Sequence, residues 1–463
     1  MKNTSLIYPG VKVAVMGLGV TGRAAVRYGL SRGAEVVVSD SRPKQRFLAE
    51  EGEFLAATGI HWEAGGHSRE FLGRAELLLV SPGVDLELPL LRNLKDDGVR
   101  LAGELAIAAG QIDVPVVAVT GTNGKTTVTT LLGEIFKGAG KKVFVGGNIG
   151  TPLYEYLLKP DGYDIVVVEV SSFQLESAGD FCPDVGLLLN ITPDHLDRHA
   201  SMAGYVQAKM RLFAHQQPGM VAIVNGDDPL CRLPSGLRST VRTFGQNNGC
   251  SAVIDSQRIT LTVDDGQEEY RFDAIAGLND ITLRNYAAAI LAVRSLGCSH
   301  RQTQAGLNAF RPLPHRIEFV AEVNGVAYFN DSKATNTGAV IGALAQFQGN
   351  VILLAGGRDK GDDYRLLRES VLTRVKKMLV LGESAGLLEE ALADVVDISR
   401  VRSMDDAVRT AAKNAVPGDV VLLSPACASF DMFTSYGHRG NEFKKAVLAL
   451  RDTFGQSRMG QAA

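Results

Sequence analysis

The chain has 463 residues, a formal net charge of −3 and 45% hydrophobic residues, a composition typical of a globular protein with roughly two to four domains. The small net charge gives no basic field for nucleic acid, and no apolar run is long enough for membrane insertion. Five scattered cysteines form no CxxC pair, and MKNTSLIYPG lacks a long apolar core. We therefore expect a cytoplasmic protein without a disulfide framework, zinc site or secretory signal.

Short Val/Ile/Leu runs alternate with Ala/Leu-rich helical stretches along the chain. Examples are VKVAVMG (11–17), EVVVSD (35–40), VPVVAVTG (114–121), DIVVVEVSS (164–172) and NVILLAGG (350–357). Such runs are typical of strands buried on both faces of a parallel sheet. The sequence predicts an α/β protein of three domains: a Rossmann-like unit (1–103), a central P-loop ATPase sheet (104–312) and a second Rossmann-like unit (313–463).

The first unit contains the glycine-rich segment GLGVTG (17–22) directly after its first strand. Together with Asp40 at the end of the next strand, this segment matches a dinucleotide-binding fingerprint. Taken alone it favours an NAD-dependent dehydrogenase. It is a weak signal, however, because the same loop is able to hold any pyrophosphate.

The second unit carries VAVTGTNGKTT (117–127), in which a strand, a glycine-rich turn and a helix follow one another. The predicted ATP-binding loop comprises Gly121, Thr122, Asn123, Gly124, Lys125, Thr126 and Thr127. Lys125 would neutralise β- and γ-phosphate charge, and the Thr126 hydroxyl would bind Mg²⁺. Val119 occupies the position of the first glycine of the full P-loop pattern, so an ordinary turn with a solvated lysine is the alternative.

Three further side chains of this unit are candidates for the same chemistry. Glu169 ends an apolar strand beside the phosphate loop, where a carboxylate is a natural Mg²⁺ ligand, although a solvated glutamate is the competing interpretation. His195, within NITPDHLDRH (190–199), would bind a second metal or transfer protons, or else be structural. Lys209 lies on a predicted helix and by itself would be read as a surface lysine.

The third unit concentrates small and charged residues in the loops PHR, NDSKATN, AGGRDKG and SPACASFD. Arg316, Lys333 and Lys360 are suited to bind phosphate or carboxylate. Each would equally suit a solvated surface, and no single one of them decides between the two interpretations.

The combination of motifs resembles the Mur ligase family. The matching segments are GTNGKTT, EVSSFQLE, NITPDHLDRH, YVQAKMRLF, PHRIE, NDSKATNTGA and SPACASFDMF, in this order and over essentially the whole chain. Among its members, GLGVTG, NDSKATN and GGRDKG most resemble those that add D-glutamate to UDP-N-acetylmuramoyl-L-alanine. The resemblance implies a monomeric ATP-dependent amide ligase of peptidoglycan precursor synthesis that forms an acyl phosphate. It further implies two Mg²⁺ ions and a carbamylated lysine, with the three domains binding the UDP substrate, ATP and the amino acid.

The resemblance also implies a role for individual positions. Those matching the UDP site are Val20, Thr21, Asp40, Ser41, Arg42 and Gly83, with Asn148 contacting the nucleotide sugar. Those matching the catalytic and metal groups are Lys125, Thr126, Glu169, His195 and Lys209, the last as a carbamate. Those matching ATP contacts are Asn285, Arg316 and Asp331, and those matching the D-glutamate pocket are Lys333, Thr335, Lys360, Ser429, Phe430 and Tyr436. Ile281 and Thr282 replace the family's usual His-Asn, which puts the adenine contact in doubt.

Two other classes of protein account for fewer of these motifs than an amide ligase does. An NAD-dependent dehydrogenase leaves GTNGKTT and NITPDHLDRH unexplained, and a nucleotide-gated regulatory protein needs neither a second metal site nor an amino-acid pocket. Folylpolyglutamate synthases share the central motifs, but the N-terminal GLGVTG unit argues against them.

Overall fold

The structure of the protein is a computed structural model. It describes residues 5–192, 196–199, 201–255, 258–263, 266–272, 280–310, 314–359 and 361–460. The chain divides into two compact units, residues 1–310 and 311–463. In the part of the chain that is described, no helix is long and apolar enough to cross a membrane.

The first unit begins with a parallel sheet whose strands lie in the order β3-β2-β1-β4-β5. The strands are β1 (Lys12–Met16), β2 (Glu35–Asp40), β3 (His61–Ala64), β4 (Leu77–Val80) and β5 (Arg100–Ala102). The helices are α1 (Val20–Ser31), α2 (Ala49–Thr58), α3 (Arg69–Leu72), α4 (Pro89–Asp96) and α5 (Glu104–Ala108). The strand order reverses beside β1, so the glycine-rich loop that follows β1 lies at a topological switch point, where open α/β sheets bind ligands.

The same unit continues with a larger sheet in the order β14-β13-β12-β11-β10-β9-β6-β8-β7. Its strands are β6 (Val116–Thr120), β7 (Val143–Gly147), β8 (Ile165–Glu169), β9 (Val185–Leu188), β10 (Val221–Asn225), β11 (Thr240–Gly245), β12 (Ala252–Asp255), β13 (Arg258–Val263) and β14 (Gly266–Arg271). Its helices are α6 (Lys125–Gly138), α7 (Leu153–Leu158), α8 (Ser172–Glu176), α9 (Leu196–His199), α10 (Met202–Met210), α11 (Asp280–Ser295) and α12 (His300–Ala309).

Alternate residues of β6 enter two different hydrophobic cores. Val117 and Val119 pack with apolar residues of α6 and α11, whereas Val116 and Ala118 pack on the opposite face with residues of α7, α8 and α10. Burial on both faces explains why these strands read as continuous apolar runs.

An antiparallel hairpin closes one edge of this sheet. β12 pairs in parallel with β11 but antiparallel with β13, and β13 pairs antiparallel with β14. Polar and apolar residues alternate along 258–263, a pattern typical of antiparallel strands with one covered face. The edge strand β14 has the sequence GQEEYR.

The second unit contains a sheet in the order β15-β16-β20-β17-β18-β19, parallel apart from the antiparallel pair of β15 and β16. Its strands are β15 (Glu318–Val323), β16 (Val326–Asn330), β17 (Val351–Gly356), β18 (Val375–Leu381), β19 (Ile398–Arg400) and β20 (Val420–Leu423). Its helices are α13 (Thr337–Leu344), α14 (Arg368–Arg374), α15 (Ala385–Leu392), α16 (Met404–Asn414) and α17 (Tyr436–Gly460). The predicted α/β class with parallel-dominated sheets is confirmed, and the domain boundaries after residues 103 and 312 stay predictions.

Candidate active site

Asp40 organises the first candidate site, at the carboxyl ends of β1 and β2. One oxygen, Oδ2, accepts a hydrogen bond from the Leu18 backbone N–H at 2.8 Å, and the guanidinium of Arg42 binds both carboxylate oxygens at 2.9 and 3.0 Å. Burial alone would raise the pKa of Asp40, but these hydrogen bonds outweigh it and lower that pKa to about 2. The carboxylate is therefore ionised at neutral pH and holds the glycine-rich loop against β2.

The other residues predicted to bind UDP surround the same strand ends. Val20 and Thr21 open α1, Ser41 follows Asp40, and Gly83 lies in the loop after β4. Gly22 allows α1 to approach β1 closely, because a Cβ there would lie 1.9 Å from the Gly17 carbonyl oxygen. The structure thus brings the predicted residues to one edge of the sheet, with the N-terminus of α1 facing them.

The phosphate loop lies between β6 and α6, where Gly121 (φ 150°) and Gly124 (φ 83°) take backbone conformations that favour glycine. Asn190, directly after β9, clamps this loop. Its Oδ1 accepts from the Asn123 N–H at 2.8 Å, and its Nδ2 donates to the Asn123 carbonyl at 3.1 Å. Thr192 adds a backbone N–H bond to the Thr122 hydroxyl at 3.0 Å. The anion cradle is therefore held in shape by the neighbouring strand.

Two lysines meet at the carbonyls of this loop. Lys125 folds back so that its Nζ donates to the carbonyls of Gly121 and Thr122 at 2.9 and 2.7 Å. Lys209, on α10, is 1% exposed and donates from Nζ to the same Gly121 carbonyl at 2.9 Å. Its Nζ also lies 4.4 Å from the centre of the Tyr205 ring. Lys209 is thus a buried residue of α10 that contacts the phosphate loop, a position that its sequence context did not indicate.

Glu169 stands at the end of β8, beside the phosphate loop, because β8 pairs with β6 in a register that places Glu169 opposite Val119. It is 2% exposed, and its Oε1 accepts from the Asn148 side chain at 2.8 Å. Its Oε2 is buried and has no hydrogen-bond partner among the described residues. A buried carboxylate oxygen without a donor suits a cation, so the donor set of Glu169 and the Thr126 hydroxyl fits Mg²⁺.

Only part of the second predicted metal site lies within the described residues. His195 lies outside the described residues. Within the described ranges, no group of three His, Cys, Asp or Glu side chains is arranged to hold a metal ion. Nearby, His199 contacts the hydroxyl of Ser172 at 3.0 Å and the carboxylate of Glu176 at 3.2 Å.

Asn285, predicted to contact ATP, lies on α11 directly against the phosphate loop. A Cβ added to Gly124 would lie 2.5 Å from Asn285 Oδ1. The preceding residue, Arg284, binds Asp227 at 2.6 Å and Asp280 at 2.7 Å. This ion-pair network fixes the start of α11 where the family motif departs from His-Asn.

In the second unit, Asp331 follows β16 and is buried. Its carboxylate accepts from the Ser424 hydroxyl at 2.9 Å and from the Ile317 N–H at 3.2 Å. Burial raises the pKa of Asp331 to about 7, against the lowering effects of Ser424 and of the Arg316 charge. Arg316 and Asp331, each predicted to contact ATP, are therefore close enough to interact electrostatically.

The residues predicted to bind the amino acid lie on loops after neighbouring strands. Lys333 and Thr335 follow β16, while Ser429 and Phe430 follow β20. The Lys333 Nζ lies 5.9 Å from the centre of the Tyr436 ring at the start of α17. Phe430 is 63% exposed and Ser429 is buried. Lys360 lies outside the described residues.

Sequence reasoning missed two residues that shape these sites. Asn190 begins the motif NITPDHLDRH two residues after β9, and an asparagine at the end of a buried strand beside a phosphate loop is a usable signal. Arg439, one turn into α17, is fully buried behind the amino-acid loops. No local pattern marks it, because its partners come from distant segments.

Models of three protein-family domains match the chain in succession. They are the N-terminal domain described as Mur ligase MurD-like (residues 11–103), the Mur ligase middle domain (119–293) and the glutamate ligase domain of Mur ligases (315–427).

Similar proteins match over nearly their full length. One from Desulfotalea psychrophila, named UDP-N-acetylmuramoylalanine--D-glutamate ligase, is 48% identical and the match covers 98% of this chain and 99% of the relative. Another of the same name, from Pelotomaculum thermopropionicum, is 43% identical over 95% of this chain and 98% of its own.

Two solved structures share the fold. A pseudomurein peptide ligase type C from Methanothermus fervidus has a TM-score of 0.58 at 19% identity, covering 95% of this chain and all of its own. The MurF ligase of Thermotoga maritima, solved with ADP, has a TM-score of 0.57 at 20% identity, covering 99% of this chain and 98% of its own.

Proposed function

The chain belongs to the Mur ligase family, and from that premise we propose that it joins D-glutamate to UDP-N-acetylmuramoyl-L-alanine, converting ATP to ADP and phosphate. The observation that carries the proposal is the phosphate loop of β6 and α6 beside the buried carboxylate of Glu169. The names of the full-length relatives support the two substrates. The product is a precursor for peptidoglycan synthesis.

The chemistry needs ATP because a carboxylate is a poor electrophile. Transfer of the γ-phosphoryl group to the terminal carboxylate gives an acyl phosphate, whose phosphate is a good leaving group. The amine of D-glutamate then attacks the carbonyl carbon, forms the C–N bond through a tetrahedral intermediate, and phosphate leaves. The amine gives up its protons to solvent or a base during this step.

Lys125 serves the first step by neutralising the charge of the transferred phosphoryl group, which an anionic carboxylate must approach. In the structure its ammonium rests on the carbonyls of Gly121 and Thr122. The backbone N–H groups of the loop and the N-terminus of α6 bind the remaining phosphate oxygens. We assign the adenine end of ATP to the region of Asn285.

Glu169 and Thr126 would hold one Mg²⁺, and His195 with a carbamylated Lys209 would hold a second. When bound, Mg²⁺ neutralises phosphate charge and keeps the reacting groups in line. The position of Lys209 supports this assignment, because the residue is 1% exposed and its Nζ lies at the Gly121 carbonyl of the phosphate loop.

The substrate sites follow the strand ends. The loops around Asp40, Arg42 and Gly83 suit the uridine diphosphate, and Asn148 beside Glu169 suits the sugar end that must reach the γ-phosphate. In the second unit, the cationic and hydroxyl groups of Lys333, Thr335 and Ser429 suit the two carboxylates of D-glutamate, with Lys360 as a further predicted contact. The D-configuration rests on the names of the relatives.

The proposal is tested by measuring ADP release with ATP, Mg²⁺ and UDP-N-acetylmuramoyl-L-alanine against a panel of D- and L-amino acids. We expect ADP release only when the UDP substrate and an amino acid are both present. D-Glutamate should be preferred over L-glutamate, L-alanine and diamino acids. Rapid release with ATP and Mg²⁺ alone would indicate a simple ATPase. Preference for another amino acid would reassign the enzyme within its family. Size-exclusion chromatography tests the accompanying proposal of a monomer.

The amino-acid pocket has its own test. Lys333→Met keeps the length of the side chain and removes its charge, so KM for D-glutamate should rise about tenfold or more while KM for the UDP substrate stays near normal. Lys413→Met, at an exposed position of α16, is the control. Unchanged D-glutamate kinetics in Lys333→Met would show that the pocket lies elsewhere.

A further inference from the structure

Arg439 is a buried cation whose hydrogen-bond partners are all uncharged. The side chain is 1% exposed, although it lies in the second turn of α17. Its guanidinium donates to the carbonyl oxygens of Ser332 (2.9 Å), Cys427 (3.1 Å), Ala428 (3.3 Å) and Gly356 (3.4 Å), and to the Ser332 hydroxyl (3.0 Å). No carboxylate among the described residues lies within ion-pair distance of it.

These partners lie at the end of one strand and in the loops that follow two others. Ser332 follows β16, Gly356 ends β17, and Cys427 and Ala428 follow β20. The three strands are direct neighbours in the order β16-β20-β17. The same loops carry the residues assigned to the amino acid, because Lys333 follows Ser332 and Ser429 follows Ala428. A single side chain therefore joins every described loop of that pocket.

The environment of Arg439 leaves its charge incompletely compensated. Burial is the largest influence on it and lowers the pKa of Arg439 to about 10, so the group stays a cation at neutral pH. Asp431 acts on it only over a longer range, and Asp431 Oδ2 already accepts from the Glu383 N–H at 3.0 Å. Carbonyl dipoles offset part of the cost of burying a charge, and a nearby anion would offset more.

We propose that Arg439 is a positioning residue for the amino-acid substrate. Its planar fork of donors holds the end of β17 and the loops after β16 and β20 in one arrangement, and its charge favours a dicarboxylate over a neutral amino acid at those loops. The inference rests on the proposed function, since that function places glutamate there. Lysine cannot replace the fork, because it presents three donors from one atom instead of five from a plane.

The test compares Arg439→Lys, which keeps the charge, with Arg439→Gln, which removes it. The matched control is Arg368→Gln, whose arginine pairs with Asp394 at the surface of the same unit. For each folded variant, KM for D-glutamate, ATP and UDP-N-acetylmuramoyl-L-alanine is measured by ADP release, and the melting temperature by calorimetry. We expect Arg439→Gln to raise KM for D-glutamate about 30-fold or more, and Arg439→Lys to raise it less, with the other two KM values within about twofold of wild type.

The outcomes separate the two proposals. A wild-type enzyme that ignores D-glutamate overturns the proposed function and this inference together. A wild type that uses D-glutamate, with variants that fold but keep its KM or raise all three KM values equally, overturns only the role of Arg439. Equal effects of the two Arg439 variants would remove the part assigned to charge. Loss of the folded state in both variants would overturn the inference in favour of a role in folding alone.

Discussion

At the scale of single residues, Glu169 presents a buried carboxylate oxygen, Oε2, that finds no donor among the described residues. Glu169→Gln keeps the shape and leaves an amide that binds a cation poorly. We expect kcat to fall about 100-fold or more, and the Mg²⁺ concentration needed for half-maximal rate to rise, because phosphate charge is no longer neutralised at this point. Initial rates across a Mg²⁺ titration measure both.

The control for this change is Glu134→Gln, which removes a surface carboxylate of α6 that pairs with Lys137. It should behave like the wild type. If Glu169→Gln keeps a normal Mg²⁺ dependence, the carboxylate is structural and the first metal site must be sought elsewhere.

Lys209 gives a second prediction at this scale. If it acts as a carbamate, Lys209→Ala should be nearly inactive, and short carboxylic acids should partly restore the rate by supplying the missing anion. Intact mass spectrometry at raised CO₂ should show the added group on the wild type. Lys137→Ala, treated with the same acids, controls for general effects of carboxylates. No restoration at any acid concentration, together with no added mass, would show that Lys209 is an unmodified lysine of α10 that contacts the phosphate loop.

At the scale of elements, the phosphate loop depends on the close approach of Gly124 to Asn285. Gly124→Ala would place a Cβ 2.5 Å from Asn285 Oδ1, at a φ of 83° that alanine adopts only with strain. We expect KM for ATP to rise about tenfold or more while KM for D-glutamate stays near normal. Kinetic assays with each substrate varied in turn measure this.

The matched control lies near the other end of the same helix. Gly140→Ala imposes a similar strain at φ 82°, but nothing lies within 4 Å of its added Cβ. Each variant should lose about 1 kcal/mol of stability from the strained φ. Gly124→Ala should lose more, because its Cβ also meets Asn285, and it alone should alter ATP binding. Equal KM values for ATP in the two variants would show that ATP binding does not depend on the close approach of Gly124 to Asn285.

The elements themselves were largely predictable from the sequence. Apolar runs such as 116–120 and 165–169 marked buried parallel strands, and the glycines of the phosphate loop marked the turn before α6. The clamp by Asn190 and the burial of Lys209 were not predictable, because each depends on which strands and helices become neighbours. Sequence spacing does not carry that information. The resemblance implied a role for Lys209 but not the side chains and backbone groups that it contacts.

At the scale of the whole molecule, Glu104 lies where the two sheets of the first unit are joined. It opens α5 and accepts from the Tyr154 N–H of α7 at 3.2 Å, while Tyr154 packs in the core of the N-terminal sheet. Burial raises the pKa of Glu104 to about 7, despite its hydrogen bonds from α7 and Gln174. The joint therefore contains a carboxylic acid that is protonated below neutral pH.

This gives a stability prediction with a definite sign. Glu104 loses its proton near pH 4.5 in the unfolded chain but only near pH 7 in the folded chain. The contribution of Glu104 to the free energy of unfolding therefore falls as pH rises from about 4.5 to about 7. The full loss is about 3 kcal/mol, since each pKa unit is worth about 1.4 kcal/mol. Glu104→Gln removes this dependence. Urea unfolding at pH 5.5 and 8.5 should show the wild type losing about 2 kcal/mol relative to the variant, and a constant difference would contradict the assignment.

The sequence also predicted part of the assignment of ligands to the different parts of the chain. The segment 17–22 covers the loop after β1 and the first residues of α1, and Asp40 accepts a hydrogen bond from the Leu18 N–H of that loop. The ligand of this loop stays a prediction, for which the resemblance replaced NAD with a UDP substrate. The role of Arg439 was beyond prediction, because its partners lie about 10 to about 110 residues away along the chain. Residues that tie several loops together leave no periodic or local trace.

The hairpin at the edge of the large sheet bears on how copies of the chain meet one another. An outer strand whose backbone groups are unpaired invites the strand of another molecule to add to the sheet. The outer strand here is β14, which carries Glu268, Glu269 and Arg271. Part of this edge is covered within the molecule, because Gln304 of α12 bonds both the N–H and the carbonyl oxygen of Arg271, and His300 contacts the Glu269 carbonyl oxygen. A second copy adding in antiparallel register would bring acidic side chains close to their own counterparts. The same strand that completes the fold thereby opposes fibrous self-association during the crowded interval after synthesis.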